Sequence, residues 1–380
     1  MTYFGILSQT RKPLKIAIAI NRSWNIYNFR KGIVQRLLAD GHDVLAIAPK
    51  DDYTQKLVDW GCDFEPLEME GTSTNPLREI GTILRLRRIL RRHEVQMLLT
   101  YTIKCNIYGT LAARSLGVPC ICNVSGLGTV FLWRGWVSTV AKLLYRMTFR
   151  FSSFIFFQNQ EDREDFLQII PVNPNKTGLV PGSGINLADF THEKYNPSDR
   201  PVFLMISRLL IEKGVYEFAE AARIVRSKID GATFKLVGGL DLGHNRSINP
   251  EDLDKWQEEG TVRYFPHSDN IPAFIEEADA IVLPSYREGT PRTLLEGGAM
   301  SRPLIATDVP GCRQVVDNGG NGFLCKVRDG EDLARALMTF LGLSDTQKKE
   351  MSVRSREKIE KTFDERHVVE IYLRKINELA

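Results

Sequence analysis

A chain of 380 residues, 43% hydrophobic and 26% charged, has the composition of a soluble globular protein. It is too long for one hydrophobic core, so two domains are expected and wholesale disorder is excluded. The formal charge of +3 hides an uneven distribution: from Pro76 to Arg150, twelve Lys or Arg stand against two acids, Glu79 and Glu94, so that stretch is +10 and the rest is −7. Such asymmetry points to an anionic partner met by the first half of the chain. Because no nucleic-acid motif accompanies it, a membrane surface is expected rather than nucleic acid.

In chain order, Leu14 to Ile20 reads as a first strand, Phe29 to Asp40 as a helix, and Gly41-His42 as the turn into a strand from Val44 to Ala48. Further strands are expected at Val95 to Thr100, Pro119 to Val124 and Phe154 to Gln158, with helices between them. After the Pro-, Gly- and Asn-rich stretch Pro181 to Pro201, a second series opens with the strand Val202 to Ile206. It continues through helix Val215 to Ile229, strands Thr233 to Val237 and Val262 to Phe265, helix Ile271 to Ala278, strand Ala280 to Leu283, helix Arg292 to Met300 and strand Leu304 to Thr307. Alternation of this kind predicts two doubly wound α/β domains joined near residue 190, with the functional site between them at the carboxyl ends of the strands. Ser344 to Ala380 is helical by composition.

The six cysteines (Cys62, Cys105, Cys120, Cys122, Cys312 and Cys325) show neither a Cys-x-x-Cys pair nor zinc spacing with His, and read as buried free thiols in a reducing compartment. Met1 to Pro13 lack the apolar run of a signal peptide, and no window reaches the ~20 apolar residues of a spanning helix. A cytoplasmic location follows as the expectation.

The most informative stretch runs from Pro284 to Ala299, PSYREGTPRTLLEGGA. A strand ends at Leu283, a turn follows, and a helix starts near Pro291, a residue suited to a first turn. Free amides of Thr293 and Leu294 at the helix N-terminus are expected to form a phosphate site. Glu296, one turn inside, suits a ribose diol, and Glu288 and Gly289 in the turn suit the donor sugar. A lone Glu would read as a solvated surface residue; the joint pattern is what carries the argument. Asp252-Leu253-Asp254 has metal-motif spacing, but Asn249-Pro250-Glu251-Asp252 is an ordinary acidic helix start, so no metal is expected.

Here the sequence resembles the family-4 glycosyltransferases of the GT-B fold. Glu288 and Glu296 match the family's spaced glutamate pair, and Ile206-Ser207-Arg208-Leu209 with Glu212-Lys213-Gly214 matches its diphosphate-binding segment. Pro303 to Cys312 and Asn321-Gly322-Phe323-Leu324 continue the likeness. The resemblance implies two Rossmann-like domains facing across a cleft, 1–188 for the acceptor and 189–360 for the nucleotide sugar, with a helix at 361–380 returning to the first. It implies Glu288, Arg208 and Lys213 as catalytic groups. Gly238, His267 and Gly184 join Arg208, Lys213, Glu288, Gly289, Thr293, Leu294 and Glu296 as donor-binding residues. Two fixed cations aimed at the departing diphosphate lower the barrier without a metal or other cofactor.

Within the family, Tyr101 to Arg114 and Ser125-Gly126-Leu127-Gly128 are similar to bacterial enzymes that extend sugars on polyprenyl diphosphate, including α-1,3-N-acetylgalactosaminyltransferases. The implied reaction is retaining transfer from a UDP-sugar to a polyprenyl-diphosphate-linked saccharide. Lys104 is the candidate for the acceptor diphosphate. From Phe131 to Phe157, aromatic and basic residues, among them Trp133, Arg134, Trp136, Lys142 and Arg146, suit an amphipathic helix lying on the inner face of the cytoplasmic membrane. The family's Gly-Gly loop after the first strand is absent, Asn21 to Asn25 standing there, and so is its first-domain His. Two rivals remain open at this point: a sugar-nucleotide epimerase of the same fold, and a non-catalytic nucleotide-sugar-binding protein.

Overall fold

A computed structural model describes residues 12–69, 76–127, 136–191, 195–241 and 243–380. Its first sheet contains β1 (Lys15–Ala19), β2 (Asp43–Ala48), β3 (Asp63–Pro66), β4 (Met97–Tyr101), β5 (Cys120–Val124), β6 (Phe154–Phe157) and β7 (Thr177–Leu179), in the order β3-β2-β1-β4-β5-β6-β7. The second contains β8 (Val202–Ile206), β9 (Thr233–Val237), β10 (Arg263–Phe265), β11 (Ala280–Leu283), β12 (Leu304–Thr307) and β13 (Gly322–Cys325), in the order β10-β9-β8-β11-β12-β13. Every pairing in both is parallel.

Parallel strands covered by helices on both faces must be apolar on both faces. In β1, Ala17 and Ala19 enter one core cluster while Ile16 and Ile18 enter the cluster on the opposite side, the period-two alternation of an extended chain. The second domain has the same two-sided arrangement: Phe203 and Met205 of β8 face one core, Leu204 the other.

The sheets hold three strands beyond the expected series: β13 (GFLC) at one edge of the second sheet, and β3 (DFEP) and β7 (TGL) at the two margins of the first. With one neighbour apiece β3 and β7 need little apolar surface, and their sequences carry little. The loop expected at Asn21 to Asn25 is largely helical. A helix Ser23–Phe29 ends at Arg30 (φ −130°) and a second, Lys31–Ala39, follows directly. Ile26 is fully buried and Ser23 Oγ donates to the Pro49 carbonyl at 3.0 Å, which ties this turn down.

At its end the chain crosses between domains. The helix Asp345–Thr362, opened by a Ser344/Gln347 capping box, packs on the second domain, where Ser355 Oγ donates to the Asn321 carbonyl. Asp364 then bridges to Ile185, and the helix Glu365–Leu379 lays Val368, Val369, Tyr372, Leu373 and Ile376 into the first domain's core beside Ile16, Ile18 and Phe156. Each such side chain contributes about 1.5–3 kcal/mol when fully buried. Asn123 Nδ2 donates to Tyr372 Oη at 2.7 Å, so the helix is also hydrogen-bonded to β5.

Candidate active site

In the second sheet the strand order reverses between the adjacent strands β8 and β11, the crevice where doubly wound sheets bind ligands. After β8 come Arg208 and the single turn Ile211–Lys213; after β11 come Tyr286, Arg287 and Glu288. The two segments are stitched together, since Tyr286 N–H donates to the Glu212 carbonyl at 2.9 Å. Lys213 Nζ meets Glu288 Oε1 at 2.5 Å. Arg208 is exposed beside them, and among the described residues its side chain has no ion pair.

The helix after the turn is Arg292–Ala299, with Pro291 at its cap position. Thr293 Oγ1 donates to the Ile206 carbonyl at 2.9 Å, fastening the helix to the end of β8. Glu296 pairs with Arg292 at 3.0 Å; burial pushes its carboxyl above the usual range and Arg292 offsets part of that. Two hydroxyls at this edge, Ser207 Oγ and Ser285 Oγ, are buried without a hydrogen-bond partner among the described residues. Orphaned polar atoms of that kind mark a surface suited to a polar ligand.

Several expected roles change. The Leu294 amide is not free: it donates to the Pro291 carbonyl at 3.1 Å, and the side chain is fully buried. The open donors of this helix are therefore at Arg292 and Thr293, ahead of the first intrahelical bond. Gly238 approaches backbone, not an open site, because a Cβ there would overlap the Ser207 carbonyl oxygen. Gly184 makes room for the crossing chain at Glu365. His267, exposed, pairs with Asp269 at 3.4 Å beyond β10, two strands from β8. That loop nevertheless faces the cleft: the Tyr53 phenol of the first domain is pushed up by burial and by the nearby Asp269 carboxylate. Asp252 lies in the first turn of helix Pro250–Glu258 and accepts from Tyr216 Oη at 2.8 Å, an ordinary helix-start arrangement.

On the first domain, Lys104 is ion-paired with Glu79 at 2.7 Å, so its charge is shared with the helix Pro76–Arg92. Beside that helix is a hollow of about 730 Å³ whose lining includes Arg78, Arg85, Arg88, Thr82, Glu68 and Met69. It shares Glu68 and Met69 with a second hollow of about 450 Å³ lined by Asn21, Arg22, Trp24 and Tyr53. Glu68 and Met69 thus stand between the arginines of the helix and the residues that follow β1.

The segment from Phe131 to Phe157 is not one surface helix. It comprises a helix Trp136–Thr148, a turn Phe149–Phe151 and the strand β6. Tyr145 and Phe149 are core residues packed with Phe166, and Arg146 Nε donates to the Ile169 carbonyl at 2.8 Å. Trp133 and Arg134, with the side chain of Trp136, lie outside the described residues. Beside exposed Thr139 and Arg146, the helix exposes an aliphatic row, Val140, Leu143 and Met147, at helical spacing. Ile80 and Leu84 are exposed in the same way on helix Pro76–Arg92, and both helices pack against Ile103–Arg114. No helix among the described residues is long and apolar enough to cross a membrane.

Across the cleft the domains meet through groups that motif reading passed over. Gln158 Oε1 accepts from the Thr290 amide at 3.0 Å, Asn159 Nδ2 donates to the Gly289 carbonyl at 3.1 Å, and Arg287 pairs with Asp162 and Asp165. Gly289 lies against the Ser125-Gly126 loop so closely that a Cβ would overlap the Ser125 carbonyl. Arg292 sits 5.4 Å from the Phe29 ring of the first domain. In sequence, only the polar run Gln158-Asn159-Gln160-Glu161-Asp162 after a strand hinted at this contact.

Comparison with known proteins identifies the family and the fold. Residues 30–182 match the family described as Glycosyl transferase 4-like domain, and residues 188–359 match Glycosyl transferases group 1. Over 346 residues, 86% of this chain and 89% of the relative, the protein is 30% identical to N,N'-diacetylbacillosaminyl-diphospho-undecaprenol alpha-1,3-N-acetylgalactosaminyltransferase of Campylobacter jejuni. It is 27% identical, over 69% of this chain and 70% of the relative, to UDP-Gal:alpha-D-GlcNAc-diphosphoundecaprenol alpha-1,3-galactosyltransferase of Escherichia coli. The fold matches Anabaena Alr3699/HepE, solved in complex with UDP and glucose, with a TM-score of 0.77 and 17% identity over 96% of this chain and 100% of that one. The chain is therefore a glycosyltransferase and not an epimerase, a two-domain GT-B member of the family to which the Campylobacter jejuni enzyme belongs.

Proposed function

We propose that this glycosyltransferase moves a sugar, an N-acetylhexosamine or hexose, from a UDP-sugar to a polyprenyl-diphosphate-linked saccharide, with retention and without a metal. The observation that carries the donor half is the meeting of Lys213 with Glu288 at the β8/β11 switch point, with exposed Arg208 on the same segment after β8. Fixed cations there oppose the charge that develops on the leaving diphosphate, Arg208 through two oxygens at once and Lys213 as a point charge. Lys213 is paired with Glu288, so a bound diphosphate would compete for the ammonium and free the carboxylate toward the sugar. Glu296, largely shielded from solvent and steadied by Arg292, suits a ribose diol.

The acceptor half draws on the names of the two relatives, which act on undecaprenol-diphosphate saccharides, and on the arginine-lined hollow beside Pro76–Arg92. Exposed Ile80, Leu84, Val140, Leu143 and Met147 among basic residues suit docking on the inner face of the cytoplasmic membrane, where a lipid-linked substrate is presented. Calorimetric titration of UDP in the presence of EDTA tests the donor site: wild type binds, and Arg208→Ala binds at least tenfold more weakly. Incubation with a panel of UDP-sugars and short polyprenyl-diphosphate saccharides, followed by mass spectrometry, tests the transfer. Failure of UDP to bind without metal, or undiminished binding by Arg208→Ala, would count against this reading.

A further inference from the structure

Among the cross-cleft contacts one group has no place yet in the chemistry. Asp162 is fully buried, and its two oxygens are divided between the two domains. Arg287 donates to Oδ1 through Nη2 at 2.5 Å and Nε at 3.1 Å, while Oδ2 accepts from the Leu127 amide at 3.3 Å and from Asn159 Nδ2 at 3.1 Å. Its own amide donates to Asn159 Oδ1 at 2.7 Å. A buried carboxylate is expensive to desolvate, and only a full set of charge-assisted bonds compensates; here half of that set comes from the other domain.

The residues so gripped surround Glu288. Arg287 before it is held by Asp162 and by Asp165 at 2.8 Å, Gly289 after it by Asn159, and Thr290 by Gln158. The side chain of Glu288 alone turns back to Lys213 in its own domain. Gly289 and Gly126 face each other so closely that a Cβ built on Gly126 (φ 117°) would stand 3.1 Å from the Gly289 Cα, an approach that side chains on either residue would prevent. One carboxylate therefore ties the Ser125–Leu127 loop, the helix Gln160–Ile169 and the Glu288 turn into a unit.

We infer that Asp162 is a positioning residue, which through Arg287 holds the Glu288 turn against the Ser125–Leu127 loop and so makes correct placement of Glu288 conditional on closure of the two domains. The inference rests on Glu288 serving the transfer. Its consequence is that loss of the clamp leaves donor affinity, a property of the second domain, largely intact while slowing turnover, because small misplacements of reacting groups are costly in rate. Arg313 and Glu161 also pair between the domains at 2.6 Å, but both are about half exposed, and such pairs contribute little.

The test is a kinetic comparison of Asp162→Asn, Arg287→Gln, the double variant and Arg313→Gln, with UDP binding and thermal melting measured on each. Asp162→Asn and Arg287→Gln should each lower kcat about 100-fold. The dissociation constant of UDP should stay within about threefold in both. The double variant should be no slower than Asp162→Asn, since the two side chains act as one unit. Arg313→Gln should keep kcat within about twofold. A kcat within twofold of wild type in Asp162→Asn, multiplicative effects in the double variant, or parallel loss of kcat, UDP affinity and melting temperature would each overturn the inference; the last would make Asp162 merely structural. Glu288→Gln run alongside keeps the underlying reading separable: full activity there removes Glu288 from the chemistry whatever Asp162 does.

Discussion

The two domains share a topology, so the β1/β4 junction of the first corresponds to the β8/β11 junction of the second. At the second junction a cation pair and two glutamates are concentrated in segments 206–214 and 286–296, and most are held by neighbours within the same domain. Among the described residues, no such cluster stands at the first junction. Asn21 Oδ1 is buried there without a hydrogen-bond partner among the described residues, Thr102 sits at φ 70°, and the charge is spread over helix Pro76–Arg92. On the proposed function, one fold thus serves two recognition problems. A diphosphate leaving group needs a few rigid charges at fixed distances, whereas a lipid-borne acceptor needs extended surface.

If that contrast holds, the largest effects should come from the second junction. Lys213→Ala and Arg208→Ala should each lower kcat/KM by about 10²–10³-fold, the cost of removing one preorganised charge from a transition state. Steady-state transfer kinetics read this directly. Comparable losses on removing an arginine of helix Pro76–Arg92 would break the contrast.

Next in size is a stability effect confined to the first domain. Tyr372→Ala empties a core position that is 1% exposed and removes the partner of Asn123, at a cost of about 3–5 kcal/mol. Denaturant unfolding should then show two transitions, the earlier one belonging to the first domain, with UDP affinity surviving it. A single unshifted transition would show that the last helix does not belong to that core.

A smaller effect separates the exposed aliphatic stripe from the interior. Replacing Ile80 and Leu143 together by Ser should weaken sedimentation with anionic vesicles at least tenfold, since each aliphatic side chain inserted contributes about 1.5–3 kcal/mol. Because both are solvent-exposed, melting should hardly change. Equal vesicle binding by the variant would remove the stripe from the membrane-facing role.

The smallest effect is a pH dependence at the crossing. Burial raises the Glu365 carboxyl above its ordinary value, with Arg292 and Lys31 opposing. A raised folded-state pKa means the group favours the fold below the ordinary carboxylate range and loses that contribution as pH rises through the shifted value. Glu365→Gln does not titrate, so its melting temperature relative to wild type should climb from pH 4 toward neutrality and then level off. A difference that stays constant with pH, or that falls, would contradict the burial argument.

Legibility followed distance along the chain. The strand-turn-helix from Ala280 to Ala299 and the segment after β8 were readable because their chemistry is contiguous: a turn, a helix start and charged groups lie within one window. The amphipathic segment from Phe131 misled for the converse reason. Periodicity shows that one face is apolar without showing what covers it, and here Phe166 and the core cover Tyr145 and Phe149, leaving aliphatic residues outside.

By itself the sequence determined two alternating α/β halves and the turn and helix start after Leu283, since those follow from local pattern; Arg208 and Lys213 were marked by the family resemblance. Only the tertiary structure decided that the Leu294 amide is spent within its own helix and which side chains of the last helix, already expected to return to the first domain, enter that domain's core. It alone brought Asp162 to Arg287 across 125 residues. A buried ion pair is specified by where two remote chains meet, and nothing in either local sequence records the other's position.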